Sequence, residues 1–317
     1  MIGSSCLLPA RRLPLPAAVD RRRIVWLYAS TVGLCHLIAL LAVLPWFFSW
    51  SGLALTFAGI YVFGLGINLG YHRLLTHRGL ICPKWLEYGF AVLGVCCMQD
   101  TPARWAAVHR RHHEHADDQD DPHSPWVSFF WGHVGWMLVE NRYLARLGIY
   151  DRYAKDILRD PFCRRLERGG LYPIIVLSSW AMFFLTGFTI VLLNGDDLGA
   201  AVQYGASLLI WGVFVRAVAV WHITWLVNSA AHLWGYRNYE TCDDSRNNWV
   251  VAILTSGEGW HNNHHADPRS ARHGHRQYEV DLIFGFIRML EAIGLASEVA
   301  RPAPRVITAL SDETRRL

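Results

Sequence analysis

Histidine is the residue type on which the chemistry of this 317-residue sequence depends. Two triplets with the spacing His-x2-His-His and one looser pair stand out: His109, His112 and His113; His261, His264 and His265; His72 and His77. On an α-helix, positions i, i+3 and i+4 share one face, so each triplet can direct three imidazoles toward one point. Neutral imidazole is the commonest protein ligand for iron, copper, zinc and nickel. Eight imidazoles exceed what one ion can use, so the spacing predicts a dinuclear metal site.

Acidic residues beside these clusters could orient the imidazoles by accepting a hydrogen bond from the ring nitrogen that does not bind metal. Six acids are available, and the sequence does not show which acid serves which histidine: Asp117, Asp118, Asp120, Asp121, Glu258 and Asp267. Solitary histidines are usually solvated or hydrogen-bonded, and we expect this of five: His36, His115, His222, His273 and His275. The seven cysteines show no Cys-x-x-Cys spacing and are not predicted as ligands.

Long apolar stretches explain why 52% of the residues are hydrophobic. Four of them have the roughly 20 residues that a helix needs to cross a bilayer. The predicted spans are residues 24–48, 51–71, 171–193 and 198–222. They predict an all-α integral membrane protein, with four transmembrane helices in two hairpins and a helical cap that carries the histidines. We expect residues 1–23 to be a flexible lead, residues 24–300 to form the membrane domain, and residues 301–317 to be a tail.

Charge sets the expected orientation in the membrane. Arg21, Arg22 and Arg23 precede the first span, and the positive-inside rule then places the amino terminus in the cytoplasm. The connector 45–50 has no Lys or Arg and the connector 194–197 is acidic, so both should face outward. All three histidine clusters then lie on the cytoplasmic side. The preference for Arg over Lys suggests a GC-rich bacterial genome and hence a bacterial inner membrane. A net charge of +4 is too weak to predict nucleic-acid binding.

Two of the spans should extend beyond the membrane and carry ligands. In the second, Ile60, Gly64, Asn68 and His72 follow one another at i+4 spacing. In the fourth, Thr224, Asn228 and His232 share one face, which brings a ninth histidine to the site. The segment 104–115 should be a helix that carries the second cluster. The segments 83–98 and 126–139 should lie at the membrane surface.

Four motifs together resemble the membrane-bound acyl-CoA (delta-9, stearoyl-CoA type) fatty acid desaturases: His72-Arg-Leu-Leu-Thr-His77, His109-Arg-Arg-His-His113, Asn228-Ser-Ala-Ala-His232, and Gly257-Glu-Gly-Trp-His-Asn-Asn-His-His265. The resemblance runs from about residue 61 to about residue 295. It implies that one Fe2+ ion is held by His72, His77, His109, His113 and His265. It implies that a second Fe2+ ion is held by His112, His232, His261 and His264, with Asn228 reaching it through water. No catalytic residue beyond these ligands is implied.

The same resemblance implies a kinked acyl tunnel. Residues Gln99, Trp105 and Thr224 would line its bend, with Trp225 adjacent, and Ile60 and Gly64 would lie near the methyl end of the chain. For the two tryptophans, anchoring at the membrane interface is an equally good explanation. The implied reaction uses O2 as co-substrate and places a cis double bond at carbon 9 of a saturated acyl chain.

The implied partners are a fatty acyl-CoA or acyl-lipid substrate, the membrane lipids, and an external electron donor. The sequence has no His-Pro-Gly-Gly haem-binding loop, so a ferredoxin or a small cytochrome with its reductase should supply electrons. Arg104, Arg110 and Arg111 could meet an acidic carrier or a CoA phosphate, or be surface charges.

Two other functions fit parts of the pattern. A fatty acyl hydroxylase or monooxygenase of the same His-box superfamily would use similar iron chemistry, but the spacing of the last histidine motif and the Asn-Ser-Ala-Ala-His segment favour a desaturase. A metal transporter would need histidines within the spans or in a disordered loop, and none of the clustered histidines lies in mid-membrane.

Overall fold

The computed structural model describes residues 12–303. Within this range four helices are long and apolar enough to cross a membrane: Trp26–Val43, Trp50–Thr76, Leu171–Leu193 and Leu198–Leu233. They agree with the four predicted spans and confirm the predicted all-α integral membrane fold. The second and fourth spans are the longest of these, at 27 and 36 residues, and both continue past the length that the hydrocarbon core requires.

The α-helices, in chain order, are α1 Trp26–Leu40, α2 Trp50–Leu65, α3 Lys84–Val95, α4 Pro102–His115, α5 Trp136–Leu138, α6 Arg146–Tyr153, α7 Lys155–Leu158, α8 Pro161–Glu167, α9 Leu171–Leu193, α10 Leu198–Leu209, α11 Arg216–Leu233, α12 Trp249–Leu254, α13 His261–Ala266 and α14 Leu282–Ala292. Helices of π type span Gly66–Thr76, Trp131–Gly135 and Ile210–Val215. Short 3-10 turns span Leu41–Val43, Pro45–Phe47 and Arg142–Leu144. The strands β1 Val19–Ile24 and β2 Val139–Asn141 pair antiparallel.

Polar caps define the turns on the side of the membrane opposite the histidines. The Ser49 hydroxyl begins α2 by accepting from the Gly52 amide at 3.0 Å, and Asp197 begins α10 by accepting from the Ala200 amide at 2.9 Å. Each bond satisfies one backbone N–H that the first helical turn leaves free. The predicted connectors 45–50 and 194–197 therefore have a physical basis in these two caps.

The second membrane span has an irregular backbone in the part that extends beyond the membrane. As predicted, it continues beyond the membrane to Thr76, but from Gly66 onward it takes π geometry. Such segments are rare and are often found at functional sites. Gly66 packs so closely on α3 that a Cβ atom there would overlap the backbone of Leu93 and Gly94. This contact fixes α3 against the segment that carries His72.

The amino-terminal lead is more ordered than we expected. Residues 1–11 lie outside the described part, but Val19–Ile24 form β1, which pairs with β2 just before α1 begins. The prediction of a flexible lead is therefore wrong for these residues, because a strand partner from a distant segment is invisible to local sequence patterns. Of the predicted tail, residues 304–317 also lie outside the described part.

The Gly66 contact gives a stability prediction. Gly66→Ala should lower the thermal unfolding midpoint in detergent micelles, because inserting a methyl group into a filled contact costs about 1–3 kcal/mol or more when backbone must move. Gly89→Ala is the matched control, since Gly89 is an exposed position of α3 with nothing within 4 Å of its Cβ direction. It should leave the midpoint unchanged or slightly raised. Equal midpoints for both variants would contradict the proposed packing.

Candidate metal centre

The nine predicted ligand histidines converge beyond the membrane ends of the helices. They divide into two adjacent groups: His72, His77, His109, His113 and His264 in the first, and His112, His232, His261 and His265 in the second. In each group the nearest nitrogen atoms lie within 4.8 Å of one another. The extensions of the second and fourth membrane spans, together with α4 and α13, bring these histidines to one place.

In the first group the Nε2 atoms face each other around a common centre. The Nε2 atom of His264 lies 3.1 Å from that of His72 and 2.9 Å from that of His113. The Nε2 atom of His109 lies 3.0 Å from those of both His77 and His113. Nitrogen ligands that bind one ion at about 2.1 Å, and at right angles, are about 3.0 Å apart. The spacing is therefore that of neighbouring ligands of one ion.

The second group has one histidine fewer. The Nε2 atom of His261 lies 3.0 Å from that of His232 and 3.1 Å from that of His265. The Nε2 atom of His112 is buried without a hydrogen-bond partner. A buried polar atom without a partner costs free energy unless a ligand or water satisfies it. Four imidazoles leave this group more room for a further ligand than the first group has.

The predicted division of the last triplet is wrong, because the structure exchanges His264 and His265. On a helix, residues i and i+4 are about 40° apart around the axis, whereas residues i and i+3 are about 60° apart. The closer pairs stay together: ring centroids are 4.6 Å apart for His109 and His113, and 4.4 Å apart for His261 and His265. Each triplet thus gives its i, i+4 pair to one group and its i+3 member to the other.

Four carboxylates accept a hydrogen bond from the Nδ1 atom of a ligand ring, the nitrogen that points away from the group. Glu258 accepts from His72 Nδ1 at 2.5 Å, and Asp121 accepts from His112 Nδ1 at 3.0 Å. Asp117 accepts from His232 Nδ1 at 2.6 Å, and Asp243 accepts from His265 Nδ1 at 2.8 Å. A proton on Nδ1 leaves a lone pair on Nε2, which is the form that binds metal. Every Nε2 in these four pairs is directed into its group.

The predicted acids divide accordingly. Asp117, Asp121 and Glu258 contact ligand rings, whereas the Asp118 side chain contacts the half-buried His115 ring, at 3.4 Å, and the Asp120 amide. Asp267 accepts from the Ala303 amide instead. Asp243 was not anticipated, because it lies 22 residues before His265 and nothing in its local sequence marks it.

Burial favours the neutral form of rings in the first group. Burial, followed by the neighbouring imidazoles, lowers the pKa of His113 and of His264 well below the ordinary histidine range. Burial alone would raise the pKa of Asp117, but the field of His232 and the hydrogen bond from it lower this pKa to about 2. A neutral imidazole is the form that binds a cationic metal.

Glu258 is also anchored from behind, by a buried ion-pair network. Its Oε1 atom accepts from Arg73 Nη2 at 2.7 Å and from Arg73 Nε at 3.0 Å, and Arg73 Nη1 donates to Asp281 at 2.9 Å. The Gly257 backbone has a φ of +134°, and a Cβ there would lie 2.5 Å from Asp281 Oδ1. Only glycine meets both conditions, which explains the first glycine of the Gly-Glu-Gly motif.

Asparagine side chains position the short helix α13. Asn262 and Asn263 are fully buried. Asn262 Oδ1 accepts from the Asn238 amide at 2.7 Å, and Asn263 Nδ2 donates to the His273 carbonyl at 2.8 Å. A six-residue helix is not stable alone, so these tertiary bonds set the direction of its three histidines.

Two histidines near the groups were not predicted. His273 was expected to be an ordinary solvated or hydrogen-bonded residue, but it is buried 4.5 Å from the His264 ring and has its Nδ1 atom 3.3 Å from Glu258. His123 is buried 4.3 Å from the His112 ring. Neither belongs to a spaced cluster, so no sequence signal distinguished them. His275, by contrast, is hydrogen-bonded to the Arg272 carbonyl, as expected.

A chain of cavities begins beside the first group. The inner chamber is lined by Gln99, Trp105, Thr224 and Trp225, as well as by His109 and Asn228. A second chamber, which we call the deep chamber because it lies farther along the predicted acyl path, is lined by Ile60, Gly64 and Thr224, among others. Thr224 belongs to both walls, and Gln99 Nε2 donates to its hydroxyl at 3.1 Å. All six residues predicted for the tunnel therefore line these two chambers.

The donor set fits transition metals. Inward-facing nitrogen lone pairs would repel each other unless a cation lay between them, and all the group members are imidazoles. The five free cysteines among residues 12–303 belong to neither group. The fold and the site together define an all-α integral membrane protein with two histidine groups, each of which could hold a metal ion.

Comparison with known proteins identifies its family. Residues 45–284 match the model of the fatty acid desaturase family. The sn-1 stearoyl-lipid 9-desaturase of Synechocystis sp. (strain ATCC 27184 / PCC 6803 / Kazusa) is 44% identical over 269 residues, 84% of this chain and 77% of that protein. The sn-2 palmitoyl-lipid 9-desaturase of Nostoc sp. (strain 36) is 40% identical over 285 residues, 89% and 93% of the two chains. The acyl-CoA C20 Delta5-desaturase of Anemone leveillei is 36% identical over 305 residues, 92% and 91%.

The chain therefore belongs to the fatty acid desaturase family and is an oxidoreductase. This confirms the resemblance drawn from the histidine motifs and disfavours the transporter alternative.

The Asp243 contact leads to a prediction about metal retention. Asp243→Asn should weaken metal binding about 10- to 100-fold, because the carboxylate that orients His265 becomes a neutral amide. The measurement is metal content per chain during titration with a chelator. Asp118→Asn is the matched control, from an exposed acid that meets no ligand ring. Equal chelator sensitivity of the two variants would contradict the role given to Asp243.

Proposed function

We propose that this protein is an O2-dependent acyl desaturase that places a cis double bond at carbon 9 of a saturated acyl chain. One observation carries the proposal: nine histidines in two metal-sized groups adjoin a chamber whose wall includes His109. The Nostoc and Synechocystis relatives are both named as 9-desaturases, which supports the position of the bond.

The proposed cofactors are two Fe2+ ions, one in each histidine group. His72, His77, His109, His113 and His264 would hold one ion; His112, His232, His261 and His265 would hold the other, with Asn228 reaching it through water. All-nitrogen sites with room for a further ligand suit iron that binds O2. When bound, the two irons and O2 supply an oxidant strong enough to remove hydrogen from an unactivated methylene.

The protein's own part is to position the acyl chain and to exclude water. The Trp105 ring stacks on His109 at 4.9 Å, so an acyl chain against Trp105 lies beside the first group. The Gln99–Thr224 hydrogen bond lies between the inner and deep chambers, where a chain must bend to pass from one to the other. Holding two adjacent carbons in one orientation favours a reaction confined to that pair. Buried Trp225 helps to keep the wall dry.

The electron balance requires a partner. Each double bond takes two hydrogen atoms from the chain, and reduction of O2 to two waters needs two further electrons and two protons. We propose a ferredoxin or a small cytochrome with its reductase as the donor. Arg110 is not a candidate for docking the electron donor, because it is paired with Asp156 at 2.7 Å and bonded to the Thr76 carbonyl at 2.8 Å.

We also propose a bacterial inner-membrane location with the histidine side in the cytoplasm, because of the charge asymmetry of the loops.

A direct test is expression in a host that lacks its own membrane desaturase. Fatty acids would be analysed by gas chromatography–mass spectrometry, with derivatisation to locate any double bond. We expect a new monounsaturated acid with the bond at carbon 9. It should be absent with His264→Ala and retained with His115→Ala, since His115 belongs to neither group. Hydroxy acids instead would move the function to the hydroxylase alternative. No product, even with added electron carriers, would overturn the proposal.

The deep chamber generates a second prediction, on chain length. A Cβ on Gly64 would have only Asn68 Nδ2 near it, at 4.0 Å. Gly64→Leu should therefore fill the chamber and raise the ratio of C16 to C18 product on the order of tenfold, the usual effect of excluding methylene groups from an apolar pocket. Gly33→Leu, at an open and exposed position of α1, is the control and should leave the ratio unchanged. An unchanged ratio in Gly64→Leu would place the methyl end elsewhere.

A further inference from the structure

Arg216 is a charged residue inside a membrane span. It lies in the fourth span and is fully buried. A charged side chain at such a depth is costly, and those that occur usually face the bundle interior and bond to acids or backbone carbonyls. Arg216 Nε donates to the Gly212 carbonyl at 2.6 Å, and its Nη2 atom donates to the Cys96 carbonyl at 3.1 Å. It is not one of the described residues that line the inner or the deep chamber, so its purpose must lie in these contacts.

The second span makes room for the Arg216 side chain and directs it. A Cβ on Gly59 would lie 2.6 Å from Arg216 Cδ, so only the absence of a side chain there leaves space for the arginine stem. The guanidinium lies over the Phe63 ring, with its Cζ atom 3.7 Å from the ring centroid. A cation over the face of an aromatic ring is attracted to it. These two contacts with α2 hold the guanidinium at the end of α3.

The end of α3 receives hydrogen bonds from the fourth span. The last carbonyls of a helix have no partner within that helix. Beyond α3, the Cys96 carbonyl accepts from Arg216, and the Cys97 carbonyl accepts from Trp221 Nε1 at 2.7 Å. The last turn of α3 has no basic residue of its own, so Arg216 also supplies the cation that the negative end of the helix dipole favours. We call residues 96–100, which these bonds fix, the α3 turn.

The α3 turn has an unusual backbone and carries the residue at the bend of the acyl path. Met98 has a φ of +55° and Asp100 has a φ of +67°, in the left-handed region that disfavours residues with a side chain. Such conformations persist only where surrounding contacts hold them, and they cluster at functional sites. Between these two residues lies Gln99, whose side chain donates to Thr224. The position of Gln99 therefore depends on the contacts that hold the α3 turn.

A single helix makes these contacts with the α3 turn. Arg216, Trp221 and Thr224 all belong to α11, which is regular α-helix from Arg216 to Leu233. Thr224 lies eight residues after Arg216, and the ligand His232 lies eight residues after Thr224. Each interval spans about 12 Å along the helix axis. One rigid element thus fixes the α3 turn relative to the metal groups.

We infer that Arg216 is a positioning residue for the acyl chain: with Trp221 it fixes the α3 turn, and this places Gln99 opposite Thr224. The inference rests on the proposed desaturase function and adds a residue that determines the position of the double bond. Arg216 acts through the α3 turn and does not itself contact the acyl chain. Because the bend decides which carbons lie beside the metal groups, a shift of the α3 turn should change the pair of carbons that reacts.

The first test removes the bonds to the α3 turn one at a time, with Arg216→Met and Trp221→Phe. Products from the host without its own desaturase would be analysed by gas chromatography–mass spectrometry, with derivatisation to locate the double bond. We expect the share of product with the bond away from the wild-type position to rise on the order of tenfold, because a misplacement of about 1 Å can change a rate about 100-fold. This share is a ratio among product molecules, so it does not depend on how much protein folds. The iron content per chain should not change.

The matched control is Trp180→Phe. Trp180 packs against the same apolar cluster as Trp221, but its buried Nε1 atom has no hydrogen-bond partner. This variant should keep the wild-type bond position. An unchanged position in Arg216→Met, or in Trp221→Phe if Arg216→Met does not accumulate, would overturn the inference and leave the desaturase function intact. No product from the wild-type protein would overturn the desaturase function itself.

The second test asks whether Arg216 acts through the bend. Thr224→Val removes the hydroxyl that accepts from Gln99. The ratio of product with the wild-type bond position to other isomers would be measured for Arg216→Met, Thr224→Val and the double variant. If Arg216 acts by placing Gln99 opposite Thr224, the double variant should have about the ratio of the more affected single variant. Effects that multiply would show that Arg216 acts elsewhere and would overturn the inference.

Discussion

The interaction on which this structure depends is the mutual approach of imidazole lone pairs in a buried space. Nε2 atoms of neighbouring rings lie 2.9–3.1 Å apart, and carboxylates fix the protons of four of these rings on the opposite nitrogen. Lone pairs this close repel unless a cation lies between them. Much of the cap can be understood as a scaffold that holds them there: Arg73 anchors Glu258, and buried asparagines fix α13. Metal binding and folding of the cap should therefore be closely linked.

The second constraint is that the same helices line the acyl cavity and carry the ligands. Gly64 and His72 lie on the second membrane span, and Thr224 and His232 lie on the fourth, eight residues apart in both cases. The stretch from Thr224 to His232 is regular α-helix, in which eight residues span about 12 Å, so rigid backbone sets the distance from Thr224 to the metal groups. This arrangement fits a reaction that must select one pair of carbons from many equivalent ones. A flexible loop at either position would blur that selection.

The sequence predicted what local periodicity controls. Uncharged runs of sufficient length gave the four spans, and i, i+3, i+4 spacing gave the ligand histidines of α4 and α13. It failed where tertiary contacts decide. The exchange of His264 and His265 depends on how two helices face each other, although the smaller angle between i and i+4 residues favours the observed pairing. Asp243, His273 and strand β1 act through partners far away in the chain, so no local pattern could reveal them.

We expect the nine histidines to hold two ions, with no sulfur ligand from the protein. The most direct measurement is X-ray absorption spectroscopy on purified protein reconstituted with iron, together with the iron content per chain. We expect two irons per chain, each surrounded only by nitrogen and oxygen scatterers, and a loss of nitrogen scatterers when His264 or His265 is replaced by alanine. One iron per chain, or a sulfur scatterer at the distance of a thiolate, would contradict it.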